Sequence, residues 1–258
     1  PARGVRVRIT GSVALNDDQF ATLTKGAGFS TALSVGLLCL WLLLALRAPR
    51  LVAAILITLI VGLIACAAFG TAVVGAFNPI SAAFAVLFVG IAIDFGIQFS
   101  VRYRAERFRH DDMTEALRHT VRGIGEPLAI AAAATAVGFF SFVPTNYTGV
   151  SDLGTLVEAG MLIALLLNLT LLPALLTLLR PGGERRPVGF ARLAPLNDWL
   201  IRRRRMVMLL AGAAALVSAA LLPGLHFDFN PLNLQNPESE AASTLFDLTK
   251  DPMHTPDM

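Results

Sequence analysis

Apolar residues along this chain fall into long runs separated by short polar or arginine-bearing intervals. A bilayer core of roughly 30 Å takes about 20 helical residues to cross, so runs of this length predict membrane spans. Six are predicted, over about 26–46, 51–74, 79–101, 127–144, 150–179 and 206–222. On the first, Gly26, Ser30 and Ser34 recur at helical spacing, a face that lets a neighbouring helix approach closely. Asn78 and Pro79 supply a cap and a first-turn proline for the third, Pro173 predicts a kink in the fifth, and Pro223 ends the sixth.

The intervals carry patterns of their own. Val5, Val7 and Ile9 alternate with Arg6 and Arg8, the period of a half-buried strand closed by Gly11, so residues 1–25 read as the end of an extramembrane domain and a lead-in. Residues 112–124 read as an amphipathic helix lying on the membrane surface, opened by Asp112 and Glu115 as a capping box. Met113, Ala116, Leu117, Thr120, Val121 and Ile124 form its apolar face, with Arg118 and Arg122 opposite. Residues 180–205 read as a basic loop, and 224–258 as the start of a second extramembrane domain. The expected fold is an all-α polytopic bundle of six spans, with partial α/β segments at both ends. A start at Pro1 and an end in a polar stretch read as an excerpt from a longer protein.

Composition agrees: 55% of residues are hydrophobic and 15% charged, where soluble domains carry about 25% charged residues. The net charge of +3 raises a nucleic-acid reading, but the arginines cluster at span ends, so no nucleic-acid partner is expected. Cys39 and Cys66 lie inside apolar runs and read as small hydrophobes, with no disulfide or metal framework.

Charge also orients the bundle. Arg47 and Arg50 follow the first span, Arg102, Arg104, Arg107, Arg109, Arg118 and Arg122 follow the third, and Arg180, Arg185, Arg186, Arg192 and Arg202 to Arg205 follow the fifth. The opposite loops, about 75–79 and 145–149, carry none, so the arginine-bearing side is expected in the cytoplasm and both flanking domains outside it.

Within this apolar setting Asp94 is the candidate chemical group. It stands about fifteen residues into its span, or ~22 Å from the outer end at 1.5 Å per residue. An ionised carboxylate there costs on the order of 3 kcal/mol, so low dielectric favours the neutral acid and a proton can be loaded and released. Gly90 and Gln98, at i−4 and i+4, share its face. A structural aspartate bonded to a neighbouring helix is the plainer alternative. Glu158, with Gly154 and Thr155 on its face, reads either as a relay group or as a side chain reaching for the headgroups. Thr135 and Asn168 read first as groups that hydrogen-bond across helices. Glu126 reads as a cap, while His110 and His119 read as solvated surface.

Gly90-Ile91-Ala92-Ile93-Asp94-Phe95-Gly96-Ile97, followed by Arg102-Tyr103-Arg104-Ala105-Glu106-Arg107, resembles the fourth transmembrane helix of the resistance-nodulation-division (RND) superfamily, in its lipid-exporting branch. Gly125-Glu126-Pro127 through Thr135, Gly138 and Phe139, and the ending Leu171-Leu172-Pro173-Ala174-Leu175-Leu176, agree with it. The Asp-Phe-Gly wording and the tail Phe227-Asp228-Phe229-Asn230-Pro231-Leu232-Asn233-Leu234 look most like the hopanoid-biosynthesis-associated RND transporters. The resemblance implies helices two to seven of a twelve-helix protein of two repeated halves, with a sterol-sensing-type five-helix core. It further implies proton-coupled movement of lipid, a hopanoid, from the inner membrane toward the outer one, and a homo-oligomer, dimer or trimer. Asp94 aligns with the family's relay aspartate, with Gln98, Thr135 and Glu158 as candidate helpers. Protons serve as coupling ion and no cofactor or metal is implied. Phe95 stands where many relatives carry tyrosine, which removes one partner for the acid.

Three rivals remain. An intramembrane aspartyl protease needs two facing aspartates, whereas the spans offer Asp94, with Asp152 near an outer edge. A sterol-sensing-type regulatory module would bind lipid without pumping it and needs no buried acid. An RND exporter of another cargo, including protein, is the third, and the Arg-Tyr-Arg-Ala-Glu run disfavours protein export.

Overall fold

The computed structural model describes residues 9–11, 13–14, 27–183, 194–225 and 239–250. Ten α-helices are placed among them: α1 Ala27–Leu46, α2 Pro49–Val73, α3 Pro79–Ala82, α4 Phe84–Arg109, α5 Met113–Phe140, α6 Thr148–Leu169, α7 Leu171–Leu179, α8 Ala194–Arg202, α9 Arg204–Leu221 and α10 Glu240–Lys250. There is no strand among the described residues, and the expected strand at 5–9 lies almost wholly outside them. Five segments are long and apolar enough to cross a membrane: Pro49–Val73, Ile80–Arg109, Met113–Phe140, Thr148–Leu179 and Arg204–Gly224. α1 is apolar as well, over Ala32–Leu46.

Several boundaries move relative to the sequence reading. The helix that carries the third span, α4, continues past residue 101 to Arg109, with Arg107 and Arg109 in its last turn. The amphipathic segment and the fourth span are one helix, α5, which runs through Pro127. A proline inside a helix forfeits one backbone bond and crowds the carbonyl four residues back. Here that residue is Gly123, whose missing Cβ leaves room for the Arg102 guanidinium, 2.9 Å from where it would stand. In the fifth span the break falls at Thr170, where φ is −120° and ψ −63°, rather than at Pro173. The same rule explains the offset, since the carbonyl that Pro173 leaves without an N–H partner belongs to Leu169. Within the basic loop, 194–202 is helical, and 184–193 lies outside the described residues.

The chain divides into two compact units, one of residues 29–188 and one of 1–28 with 189–258. In the first, α6 packs against α2, α3, α4, α5 and α7. Aromatic rings fill spaces left by glycines. Phe88 of α4 lies between α2 and α6, and a Cβ on Gly62 would stand 2.7 Å from its Cζ and one on Gly160 3.0 Å from its Cδ2. In a bilayer, where lipid is as apolar as leucine, such close approach supplies dispersion energy that burial from water cannot. Of the expected small-residue face on α1, Ser34 is exposed, and Gly26 lies outside the described residues.

Polar groups gather at the two ends of this bundle. At one end Asn78 caps α3 in a reciprocal pair with Ser81, as the sequence predicts, and donates to Asp152 Oδ2 at 3.2 Å. At the other, Arg50 Nη1 donates to the carbonyl of Arg180 at 2.8 Å, tying the start of α2 to the end of α7. Arg47 and Arg180 end α1 and α7 with φ of 49° and 43°, the left-handed region. Glu106, on α4 and only 3% exposed, accepts from Arg102 at 2.8 Å, with Arg109 at 3.6 Å and His110 at 3.7 Å.

In the second unit, Thr10 Oγ1 donates to the carbonyl of Ala241 at 2.8 Å. Ala241, Ala242 and Leu245 of α10 are buried, and Ala14 packs against them. Two segments 231 residues apart in sequence therefore share one small core.

Two stability changes follow. A Cβ on Gly154 would lie 2.9 Å from the Phe139 carbonyl oxygen and 2.9 Å from Phe142 Cβ, neither able to yield, whereas Gly138 has nothing within 4 Å. Gly154→Ala is expected to destabilise by about 1–3 kcal/mol. Gly138→Ala is expected to stabilise by roughly 0.5–1 kcal/mol through helix propensity. Thermal melting of the detergent-purified protein reads both, and equal shifts would contradict the packing described. Glu106→Gln leaves Arg102 without its counter-charge and should cost roughly 1–3 kcal/mol, read in the same way.

Candidate functional site

Asp94 sits on α4 midway between the two polar ends, and its side chain is exposed on the surface of the described bundle. Helical geometry stacks i and i+4, and Gln98 uses it: Nε2 donates to Asp94 Oδ2 at 2.8 Å. Gly90, one turn earlier, has nothing within 4 Å of where a Cβ would stand, so the space before the carboxylate is open. Val86, Leu87 and Val101 continue the exposed face up and down the helix. Phe95 turns the other way and is 3% exposed in the core. The Phe-for-Tyr difference thus falls in the packed interior, on a different side of α4 from the acid.

The bundle brings one of the expected helpers to Asp94 and leaves the others apart. Thr135 is half-buried, and its hydroxyl donates to the Ala131 carbonyl of its own helix at 2.9 Å. Glu158 is half-buried on α6. Among the described residues no hydrogen bond or ion pair links Thr135 or Glu158 to Asp94. Asn168 does not bond across helices as the sequence suggested. Its Nδ2 donates to the Ala164 carbonyl at 2.8 Å, while its buried Oδ1 has no partner and faces Gly96, whose Cβ position lies 3.4 Å away. Ser100 Oγ on α4 is likewise buried with no hydrogen-bond partner among the described residues. In a water-free interior a helix satisfies such groups from its own turn when the neighbouring helix offers nothing better.

Two features went unread in the sequence. Glu106 appeared only as one letter of an arginine-rich run, though Arg102, Glu106 and His110 at successive i+4 steps signal one charged face. His110 and His119, read as separate surface residues, stack with ring centroids 4.7 Å apart. Asp152, the other aspartate near a span, is engaged by Asn78 at the end of the bundle, a different level from Asp94.

Chemically, the Asp94 pair holds one ionisable oxygen pair with a single neutral donor and an open approach. Such a group can take up or give up a proton without breaking a salt bridge. An aspartyl protease site would set a second carboxylate against it, and among the described residues Asp152 is instead engaged by Asn78.

Comparison with known proteins gives a consistent identity. The chain is 47% identical over 249 residues to the hopanoid transporter HpnN of Burkholderia multivorans and 45% over 252 residues to that of Rhodopseudomonas palustris, in each case across 96% of this chain. It is 29% identical over 251 residues, 90% of this chain, to the siderophore exporter MmpL5 of Mycobacterium tuberculosis. The chain spans 28% and 29% of the two hopanoid transporters and 25% of the siderophore exporter. These relatives are named as transporters, not enzymes. With the MMPL family model matching residues 1–208, the chain belongs to the MMPL family, within the RND superfamily and beside its hopanoid-associated members.

Proposed function

We propose that the protein is a proton-motive-force-driven RND transporter that moves hydrophobic lipid, of the hopanoid class, from the inner membrane toward the periplasm and outer membrane. Asp94 carries the reading: a carboxylate at mid-span depth, held by Gln98 and open to approach. Proton movement through it is worth about 2.3 kcal/mol per charge at 100 mV. The printed names of the relatives at 45–47% identity support the cargo class.

The membrane arrangement belongs to the same proposal. The hydrogen bond between Thr10 and Ala241 supports placing the segments that hold them on one side of a membrane, and an even number of crossings fits that placement. The five long apolar helices together with α1 make six. The arginine-bearing end is assigned to the cytoplasm and both flanks to the periplasm. Counted at 1.5 Å per residue from the outer ends of α5 and α6, and for Asp94 from Pro79 at the start of α3, Thr135 lies about 8 Å deep, Glu158 about 15 Å and Asp94 about 22 Å. That staggering supports Thr135 and Glu158 as secondary groups on an outer proton route. The assembly is proposed as a homo-oligomer, dimer or trimer.

In the intact protein, Asp94→Asn is expected to reduce hopanoid delivery to the outer membrane to background while leaving expression and melting temperature unchanged. Gln98→Ala removes a hydrogen bond to a carboxylate worth roughly 1.5–3 kcal/mol, so delivery should slow by about 10- to 100-fold if that bond forms in the rate-limiting step. Lipid extracted from separated inner and outer membranes provides the measurement. Undiminished delivery by Asp94→Asn would overturn the coupling role and favour a regulatory module that binds lipid without pumping it.

A further inference from the structure

The turn between α4 and α5 gathers side chains that transport through Asp94 does not use. His110 is the C-cap of α4, Glu115 lies in the first turn of α5, and His119 follows one turn later. His110 Nδ1 stands 3.6 Å from Glu115 Oε1, and His119 Nε2 stands 3.9 Å from the same oxygen. All three ligand atoms lie within 4.8 Å of one another. Ligands about 2.0–2.2 Å from a shared zinc ion stand roughly 3–4 Å apart, so this spacing is close to that of a formed site.

Local structure explains the convergence. Asp112 caps α5 by accepting from the backbone N–H groups of Thr114 and Glu115 at 3.4 and 3.1 Å. The expected capping box would have turned the Glu115 carboxylate back to the helix end. It instead faces the two imidazoles. Helical spacing puts Glu115 and His119 on one face, and Arg107 donates to the carbonyls of His110 and Asp111, fixing the turn that presents His110.

Glu106 supplies an independent indication. Its Oε2 lies 3.7 Å from Nε2 of His110, the ring nitrogen facing away from Glu115, and the carboxylate is buried against Arg102. A carboxylate behind a histidine's second nitrogen is the outer-shell arrangement that fixes the tautomer and strengthens a metal-ligating ring. The imidazoles are parallel to within 1°, so their in-plane lone pairs do not yet converge. Binding an ion therefore requires a turn about χ2 of His119, whose side chain is 47% exposed and free to make it.

We infer that His110, Glu115 and His119 form a binding site for a divalent transition-metal ion of the zinc class, with Glu106 as its outer-shell carboxylate. Two imidazoles and one carboxylate suit zinc and its first-row neighbours, whereas magnesium and calcium favour oxygen ligands throughout. An ion there fastens the end of α4, the helix that bears Asp94, to the start of α5.

The test uses the intact protein purified in detergent without a polyhistidine tag. Co2+ titration should give visible ligand-field bands that saturate at one ion per chain, disappear on adding Zn2+ and resist Mg2+. His119→Ala and Glu115→Gln alter exposed side chains and should each weaken Co2+ binding by about 10- to 100-fold or more. Zn2+ should raise the melting temperature of the unaltered protein and not that of the His110→Ala/His119→Ala double variant. Equal affinity in the double variant and the unaltered protein, or no binding up to about 1 mM, would overturn the site. Because the readouts are spectra and melting, they stand or fall independently of the Asp94 transport assay.

Discussion

A peptide group at the centre of a bilayer finds no water to bond, and this shapes the molecule at every level. It makes each crossing a helix, whose backbone bonds close within the segment. It governs side chains too. Thr58, Thr120, Thr135, Thr155 and Asn168 all donate to the carbonyl four residues earlier in their own helix. Cross-helix polar contacts within the bundle are then concentrated at its ends, in the Asn78–Asp152 and Arg50–Arg180 links. The middle is held by shape, with rings such as Phe88 lying against glycines on two neighbours. Asp94 departs from this economy, a charge-bearing group at depth whose side-chain bond among the described residues is to Gln98.

Much of this was legible in the sequence because the governing signals are short-range. Length and apolarity located the spans, Asn78 marked a helix start, and i+4 spacing paired Asp94 with Gln98. The family resemblance rested on motifs within single helices, and it held. What escaped were outcomes decided between elements. The two stretches on either side of Pro127 carry different patterns, one amphipathic and one apolar throughout, and pattern alone separates them. In the fold one helix runs on through Pro127, which a periodicity argument does not register. Asn168 was read as a donor to a neighbour, but the neighbouring surface at that level is Gly96, which has no side chain to answer it.

The charged corner escaped for a related reason. Arginines near a membrane are read collectively as an orientation signal, so an acid among them is averaged away. In the fold Glu106 is the most buried member of that corner and organises Arg102, Arg109 and His110 around one carboxylate. The histidines illustrate the same limit. Nine positions apart, and on either side of a turn, they carry no shared period, and only the angle between α4 and α5 brings their rings face to face.

The link from Thr10 and Ala14 to α10 bears on how the protein is made. A ribosome adds roughly 5–20 residues per second. The N-terminal strip therefore waits on the order of 10–50 s, while 231 residues of mostly membrane helix are synthesised, before its packing partner exists. The flanking unit cannot close first and template the bundle. Insertion of the helices precedes it, and the late joining of the two ends draws them into one unit only after the crossings between them have been laid down.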